Sequence, residues 1–303
     1  MKTLFGAVSA LALSLAAAPA AAQTAAPAAP AAAHADADPA LWMVKDDDTT
    51  IYLFGTVHIL KPGTVWFDDG VKTAFDASEE LILEMIEPDA ATMQQIVTSK
   101  AIDPDGPPLS QKLSAEDRAD YIKAMEGLGV PYASFEAFEP WMAAITLAVL
   151  PLPKLGYDLN SGVEKILTAS AKSTGKALGA LETAEEQLSF FDSLPEDKQI
   201  SYLNATVDTL PDYGKTMDAM VDAWAAGKPD ALAELMNDSM EETPEVAKVL
   251  LEDRNARWAD WIKARMDKPG TIFVAVGAGH LAGKHSVQDM LKTRGIDAMR
   301  VDY

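Results

Sequence analysis

Two strand-like segments near opposite ends of the chain both finish in the pattern Gly-x-x-His. The first is the run LFGTVH at 53–58, and the second is the run VAVGAGH at 274–280. Glycine allows a sharp turn where a buried strand leaves a sheet, and open α/β sheets bind their ligands at the carboxyl edge of the strands. If both segments belong to one sheet, His58 and His280 face a common point although they are far apart in the sequence.

Further strand signals predict the rest of that sheet. The segment 41–58 is typical of two β runs joined by an Asp/Thr turn, and short apolar runs follow at 79–85, 176–182 and 297–303. Amphipathic helical patterns, several with Pro in the first turn, fill most of the intervening sequence. We therefore predict an α/β (α+β) fold for residues 39–303, with a central mixed sheet and a large helical insertion, roughly residues 89–265, packed over it.

Composition excludes several functional classes. The chain has 46 Asp and Glu against 25 Lys and Arg, a net charge of −21, and no Cys. Such a chain repels phosphate backbones, so we expect no nucleic-acid partner. Without Cys there is no disulfide, no thiol nucleophile and no thiolate metal site, and any catalytic metal must be bound by nitrogen and oxygen donors.

The first residues have the features of an export signal. Lys2 precedes an apolar stretch and a run of small residues that ends in Ala20-Ala21-Ala22 before Gln23. We predict a signal peptide at 1–22 and an Ala/Pro-rich disordered tether at 23–38, so the mature chain is expected to be periplasmic or secreted. The alternative, an uncleaved membrane anchor, is disfavoured because the apolar stretch is rich in Ala and interrupted by Pro. We expect no stable membrane span after cleavage.

Two carboxylates end other predicted strands. Glu84 follows the run ELIL, and Glu182 follows the weaker run KALGAL. A parallel strand would bring Glu84 to the same edge as His58, although many strands end in a polar residue. The glycine-rich VGAGHLAG could instead bind a phosphate before a helix, but no complete βαβ unit follows it.

Two further polar pairs have ordinary structural interpretations. Asp158 and Asn160 lie in a loop before a predicted helix, where an N-cap is the usual explanation. Arg254 and Asn255 lie on a predicted helix and, by pattern alone, belong to a solvated face.

Taken together, LFGTVH, VAVGAGHLAG, the block from GYDLNSGVEKI to LETAEEQ and the helix LEDRNARW resemble the TraB/GumN family, which includes the Tiki proteins. The resemblance covers essentially all of 41–303, with the motifs in the same order. It implies a core fold related to erythromycin esterase and to the haem-binding ChaN proteins. Tiki members are metal-dependent proteases that use manganese or cobalt, so the resemblance implies a divalent metal, with zinc as a further alternative.

Carried onto this sequence, the resemblance implies particular site residues. The implied metal ligands are His58, Glu84, His280, Asp158 and Asn160. Asn160 stands where Tiki-type proteins tend to have His, and its carbonyl oxygen can coordinate a metal.

The resemblance also implies that Glu182, Arg254 and Asn255 are the catalytic and supporting groups. In this interpretation Glu182 is the general base and Arg254 stabilises the oxyanion. We predict an exported metal-dependent hydrolase, a Tiki-like peptidase, that acts on a peptide or small-molecule substrate. The alternatives are a non-catalytic cell-envelope protein that binds haem or a peptide, and a small-molecule esterase.

Overall fold

The computed structural model describes residues 36–240 and 243–303, without the side chains of 237–240. The predicted signal peptide and most of the predicted tether lie outside the described residues. The last tether residues contact the folded part: the N–H of Ala37 donates to the carbonyl of Val65 and that of Asp38 to the carbonyl of Ala225.

A six-stranded mixed sheet forms the centre of the molecule. Its strands are β1 Leu41–Lys45, β2 Thr49–Thr56, β3 Glu80–Leu83, β4 Ala177–Ala180, β5 Gly270–Gly277 and β6 Met299–Arg300. They lie in the order β4-β3-β5-β2-β1-β6. Neighbours among β4, β3, β5 and β2 run parallel, whereas β1 is antiparallel to both β2 and β6. The predicted central mixed sheet is confirmed.

The two strands that carry the motifs lie side by side in the middle of this sheet. β2 and β5 pair in register over their whole length, with Thr49 opposite Gly270 and Thr56 opposite Gly277. Both strands are continuous apolar runs because helices cover both faces of the sheet. This burial explains why β5 has the clearest strand signal in the sequence.

Thirteen α-helices are described, many of them short. They are α1 Asp69–Ala77, α2 Ala90–Ala101, α3 Leu109–Lys112, α4 Ala115–Leu128, α5 Pro140–Val149, α6 Val163–Thr174, α7 Ala184–Asp192, α8 Glu196–Thr209, α9 Tyr213–Ala225, α10 Pro229–Met240, α11 Pro244–Ala247, α12 Asp253–Arg265 and α13 Val287–Thr293. A π-helical turn, Lys248–Glu252, joins α11 to α12.

Alternate residues of each central strand face different helices. On one face Phe54 and Phe273 pack with residues of α1, α6 and α9. On the other face Ile272 and Val274 pack with Trp258 of α12 and with residues of α13. The sheet therefore forms the middle layer of three, because successive side chains of a strand point to opposite faces and both faces are covered by helices.

The helices α2, α4, α5, α7 and α8 share a second hydrophobic core. In it Trp141 of α5 stacks on Phe191 of α7 with ring centroids 5.5 Å apart. The range 89–265, predicted as a helical insertion, contains the helices α2 to α12 with loops and 3-10 turns between them, and also the strand β4, which pairs with β3 in the sheet. No helix within the described residues combines the length and apolarity needed to cross a membrane.

Candidate active site at the carboxyl edge of the sheet

Both Gly-x-x-His motifs leave the sheet at the same edge. His58 follows the end of β2 by two residues, and His280 lies in a short 3-10 turn, Ala278–Leu281, directly after β5. Because β2 and β5 are parallel neighbours whose last residues, Thr56 and Gly277, lie opposite each other, both motif histidines stand at the carboxyl edge of the sheet.

Glu84 reaches this edge from the neighbouring strand on the other side of β5. Leu83, the last residue of β3, lies opposite Ala275, so the next residue stands at the carboxyl end of the sheet. The Oε1 atom of Glu84 accepts a hydrogen bond of 2.6 Å from the backbone N–H of Gly277. The side chain is buried, so its charge needs a partner inside the protein.

Arg254 of α12 supplies that partner. Its Nη2 donates to Glu84 and to Glu182, both at 2.7 Å, and its Nε donates to Glu182. Its Nη1 donates at 3.1 Å to the carbonyl of Leu250 and to Nε2 of His280. These contacts occupy all five N–H groups of a guanidinium. Burial opposes the charge of Arg254, but the two carboxylates raise its pKa. Arg254 is only 2% exposed, so this geometry does not favour its predicted role as oxyanion donor.

The hydrogen-bonding capacity of Glu182 is also fully used. It lies just after β4 and accepts hydrogen bonds from Arg254 at 2.7 to 3.1 Å, from Trp258 Nε1 at 3.0 Å, from Gln187 Nε2 at 3.1 Å and from Arg257 Nη2 at 3.2 Å. Both carboxylate oxygens are engaged, and the residue is buried. The predicted role of general base has no support from these contacts, and Glu182 instead holds the guanidinium in place.

The contacts of His280 define its tautomer. Asn255 donates through Nδ2 to the carbonyl of His285 at 2.8 Å, which leaves its Oδ1 to accept from Nδ1 of His280 at 2.6 Å. The proton is therefore on Nδ1, and Nε2 accepts from Arg254. Burial, the charge of Arg254 and that of His58 together hold the pKa of His280 well below its ordinary value, so the imidazole is neutral.

His58 makes a different kind of contact. Its Nδ1 lies 2.6 Å from Oε1 of Glu164, the second residue of α6, and Thr56 donates its hydroxyl to the same carboxylate oxygen. Burial opposes both charges, yet the pair raises the pKa of His58 and lowers the pKa of Glu164. The other ring nitrogen of His58, Nε2, is shielded from solvent and has no hydrogen-bond partner among the described residues.

Asp158 and Asn160 do not join this cluster. Asp158 accepts from the backbone N–H of Asn160 at 2.9 Å and from its side-chain amide at 3.1 Å, and it caps a short 3-10 helix, Leu159–Ser161. Within the described part of the chain, the two side chains bond to each other, and neither bonds to His58, Glu84 or His280. Their ordinary explanation as cap residues therefore accounts for their contacts.

Two cavities meet at His58. One has a volume of about 440 Å³ and is lined by Glu84, Glu164 and Gln187 and by the irregular segment 85–88, among others. The second, about 80 Å³, is mostly apolar and is lined by Ile59, Met217, Met220, Val221, Leu232 and Met236, among others. His58 is thus the polar side chain that both cavities share.

The predicted metal ligands do not fit a metal ion in this arrangement. Nowhere in 36–240 or 243–303 are three His, Asp or Glu side chains grouped so that they could bind one ion. The guanidinium of Arg254 bonds to Glu84, Glu182 and His280 through the atoms that a metal would need. Of the predicted ligands at this edge, His58 retains an unpaired ring nitrogen.

Sequence reasoning missed Glu164 and Gln187. An acidic residue in the first turn of a helix is ordinarily explained by the helix dipole, and nothing in the local pattern links Glu164 to a histidine on a distant strand. Gln187 lies inside the amphipathic helix α7, where a polar residue is unremarkable. Only the packing of α6 and α7 against the sheet edge brings the two to the site.

The fold brings a His–Glu pair and a buried Arg–carboxylate cluster to one edge of a mixed sheet, beside two cavities. This is an α/β protein with a candidate ligand site at the carboxyl edge of its parallel strands, where such sheets usually bind their ligands. The chain belongs to the TraB/PrgY/gumN family, whose model matches residues 40–300.

Its relatives include proteins with and without a named activity. An uncharacterized protein, YbaP, of Escherichia coli is 27% identical over 184 residues, which cover 61% of this chain and 68% of YbaP. Metalloprotease TIKI2 of Danio rerio is 25% identical over 86% of this chain and 61% of its own length. A metalloprotease TIKI homolog of Nematostella vectensis is 24% identical over 85% of this chain and 66% of its own length. No solved structure shows a significant match.

Proposed function

We propose that this chain is an exported hydrolase in which His58 is the general base and Glu164 positions it. The observation that carries the proposal is the 2.6 Å contact between Nδ1 of His58 and Glu164, together with an unpaired Nε2 beside a cavity of about 440 Å³. A base held by a carboxylate on one nitrogen and free on the other is the arrangement that general-base catalysis requires. Relatives named metalloproteases support hydrolysis as the reaction class.

The proposed step uses the two nitrogens of His58 differently. Glu164 accepts the Nδ1 proton, which leaves the lone pair on Nε2 when the ring is neutral. Nε2 takes a proton from a water molecule as the water oxygen adds to the substrate carbonyl carbon, and it later returns that proton to the leaving group. Thr56 donates to Glu164 and so restrains the carboxylate during both transfers.

The bond that we propose to be cleaved is a peptide bond, as in a Tiki-like peptidase, with a small-molecule ester as the second substrate class. The metal of the resemblance, manganese or cobalt with zinc as the alternative, would act as a Lewis acid if bound. Arg254 and the backbone N–H of Gly277 engage Glu84 and His280, so the proposed proton transfers involve His58, water and the substrate alone.

The test is an assay of the purified mature protein against a mixed library of fluorogenic peptides and a set of nitrophenyl acyl esters. We expect wild-type protein to hydrolyse one of the two classes and His58→Ala to be slower by about 10²- to 10⁴-fold, the usual contribution of a general base.

The matched control is His285→Ala, because His285 is 60% exposed and lies outside both cavities that meet at His58. This variant should retain wild-type activity. Hydrolysis of neither class, or equal activity of His58→Ala and wild type, would contradict the proposal. In that case a Soret band on titration with haem would support the binding protein instead.

Export is the second part of the proposal, and it rests on the sequence of residues 1–22. Expression of the full chain in a bacterium should place it in the envelope fraction with Gln23 near its new N-terminus. Intact-mass analysis measures this directly, and a chain that retains Met1 would exclude cleavage.

A further inference from the structure

Gln187 is a second buried side chain that lines the 440 Å³ cavity and has an unpaired polar atom. It is 1% exposed, and its Nε2 donates to Glu84 and to Glu182 at 3.1 Å each. Its Oε1 is shielded from solvent and has no hydrogen-bond partner in the described part of the chain. Apart from Gln187, the cavity is lined by one other side chain with such an atom, His58.

The orientation of the Gln187 amide is determined by its neighbours. Exchanging its oxygen and nitrogen would place Oε1 against the carboxylates of Glu84 and Glu182, where no proton is available. The amide nitrogen therefore faces the carboxylates and the oxygen faces away from them. The helix is also fixed, because Thr183 and Glu186 form a capping box at the start of α7.

An amide oxygen accepts hydrogen bonds and cannot donate them. A buried acceptor that is left without a donor is costly, so a ligand that brings an N–H into the cavity gains an interaction that an otherwise identical ligand without the N–H lacks. A peptide amide offers such a donor, whereas an ester oxygen at the same position does not.

We propose that Gln187 is a substrate-binding residue whose Oε1 accepts a backbone N–H of the substrate, and that it thereby selects amide-containing substrates over esters. This inference rests on the proposed hydrolase function, and it deepens that function by naming what the cavity recognises beside His58. The irregular segment 85–88 lines this cavity and carries Ile86, which is 46% exposed.

The experiment measures binding separately from cleavage. A peptide that binds the mature His58→Ala protein is selected from a mixed library by calorimetry, and each of its backbone N–H groups is replaced in turn by an ester oxygen. We expect one replacement to weaken binding by about tenfold or more, as the loss of a buried hydrogen bond does. The same replacement should make no difference in the His58→Ala/Gln187→Met protein, which retains the length of the side chain without the acceptor.

Gln199→Met is the matched control in the same background. Gln199 is also buried and also has an unpaired Oε1, but its Nε2 donates to backbone carbonyls in the second core, and it does not line the cavity. This variant should retain the tenfold discrimination. If Gln187→Met does not fold, the ester scan on the His58→Ala protein alone decides, because a scan in which no position is sensitive overturns the proposal.

Failure of this inference and failure of the proposed function give different results. Equal discrimination with and without Gln187 overturns the inference. If the wild type hydrolyses simple esters but the His58→Ala variant binds no peptide, the inference is overturned and the proposed hydrolase function stands. Discrimination by Gln187 in a protein that hydrolyses neither class supports the inference and overturns the hydrolase.

Discussion

Each charge in the buried cluster around Arg254 depends on the others. Glu84, Glu182 and Arg254 are between 2% and 7% exposed, and the guanidinium of Arg257 also donates to Glu182 at 3.2 Å. The two guanidinium groups thus balance the two carboxylates, which accept further hydrogen bonds from Gln187 and from the backbone N–H of Gly277. Breaking a buried pair by removing one partner leaves the other charge uncompensated.

Glu84→Gln should therefore destabilise the protein. The new amide could still accept from Gly277, but its NH₂ group would face the donors of Arg254 and Gln187. We expect a loss of about 3 kcal/mol in the free energy of unfolding, typical of a broken buried pair. Urea unfolding followed by circular dichroism measures it. Glu79→Gln, at an exposed position that opens the same segment, should change stability by less than about 0.5 kcal/mol, and equal stability of both variants would contradict the prediction.

Glu164→Gln should change the pH dependence of hydrolysis. Glu164 raises the pKa of His58 above 6.5, and a general base must be neutral, so kcat/KM should rise with pH through a midpoint above 6.5 in the wild type. Without the carboxylate the midpoint should move to lower pH, with a reduced plateau because the ring is less well held. Glu126→Gln, at an exposed position of α4, should leave the profile unchanged. An unshifted midpoint in Glu164→Gln would remove the pair from catalysis.

The same pair makes stability depend on pH. The pKa of Glu164 is lowered from 4.5 and that of His58 is raised from 6.5. The stabilisation is complete between these ordinary values. It is lost as pH falls through the lowered pKa of Glu164 or rises through the raised pKa of His58.

For individual residues, the sequence predicted the positions of the site side chains better than it predicted their chemical roles. The strand-end pattern indicated where His58, His280 and Glu84 would stand, because parallel pairing fixes the edge at which a strand ends. It did not indicate that Arg254 is buried between two carboxylates, because the local pattern places this residue on a solvent-exposed face of its helix. The side of a helix that faces inward depends on what packs against it, and a charged residue on a helix gives no sign of a partner on a distant strand.

Among the elements, helix α6 controls the position of Glu164. Gly162 precedes the helix and lies against the backbone of His58: a Cβ atom at this position would lie 2.1 Å from the His58 carbonyl oxygen. That distance is far inside van der Waals contact, so any side chain there would push the start of α6 away from β2. The close approach of the two backbones thus allows the contact between His58 and Glu164.

Gly162→Ala should therefore increase the distance between Glu164 and His58 without altering either side chain. We expect the hydrolytic activity to fall toward that of Glu164→Gln, with a loss of stability as well, and the imidazole resonances of His58 in an NMR titration should move toward the ordinary pKa. Gly127→Ala is the control, because a Cβ at this position of α4 meets nothing within 4 Å.

The control variant should be more stable than wild type by up to about 1 kcal/mol, since Ala is the better helix former. Full activity in Gly162→Ala would mean that α6 tolerates the shift and that Glu164 does not need its observed position.

Element boundaries show what local patterns miss. The strands β1, β2, β3 and β5 follow the predicted apolar runs, because buried strands need such runs. The helix that follows His280, α13, begins only at Val287, so His285 lies outside it. His285 itself has φ of 58°, in the left-handed region, so it lies in a turn. Its predicted dispensability stays a prediction.

At the scale of the whole molecule, two strands from distant parts of the sequence, β2 and β5, pair and form the centre of one sheet edge. β2 and β5 are neighbours although nearly all of the helices lie between them in the sequence. The helices of this intervening segment then supply Glu164, Gln187 and Arg254 to the same edge. The matching motifs made the pairing of the two ends predictable. The residues from the middle depend on how several helices pack together, which no single local pattern specifies.

This arrangement bears on metal binding. Imidazole and carboxylate groups are common ligands of divalent transition metals, and His58, His280 and Glu84 are the predicted ligands at this edge. In the folded chain a guanidinium already bonds to Nε2 of His280 and to the carboxylate of Glu84. A metal at the same place would have to displace a buried cation that makes five hydrogen bonds to the side chains of Glu84, Glu182 and His280.

We therefore expect the purified mature protein to contain much less than one equivalent of manganese, cobalt or zinc by elemental analysis, and its activity to survive dialysis against a chelator. Arg254→Ala is the informative variant, because it frees His280 and Glu84 to act as ligands. If it folds, it should bind a divalent metal more tightly than the wild type, as shown by calorimetry with Mn²⁺ and Zn²⁺. One tightly bound equivalent in the wild type, lost together with activity on chelation, would show that Arg254 leaves the site when metal binds, and it would restore His58, Glu84 and His280 as the ligands.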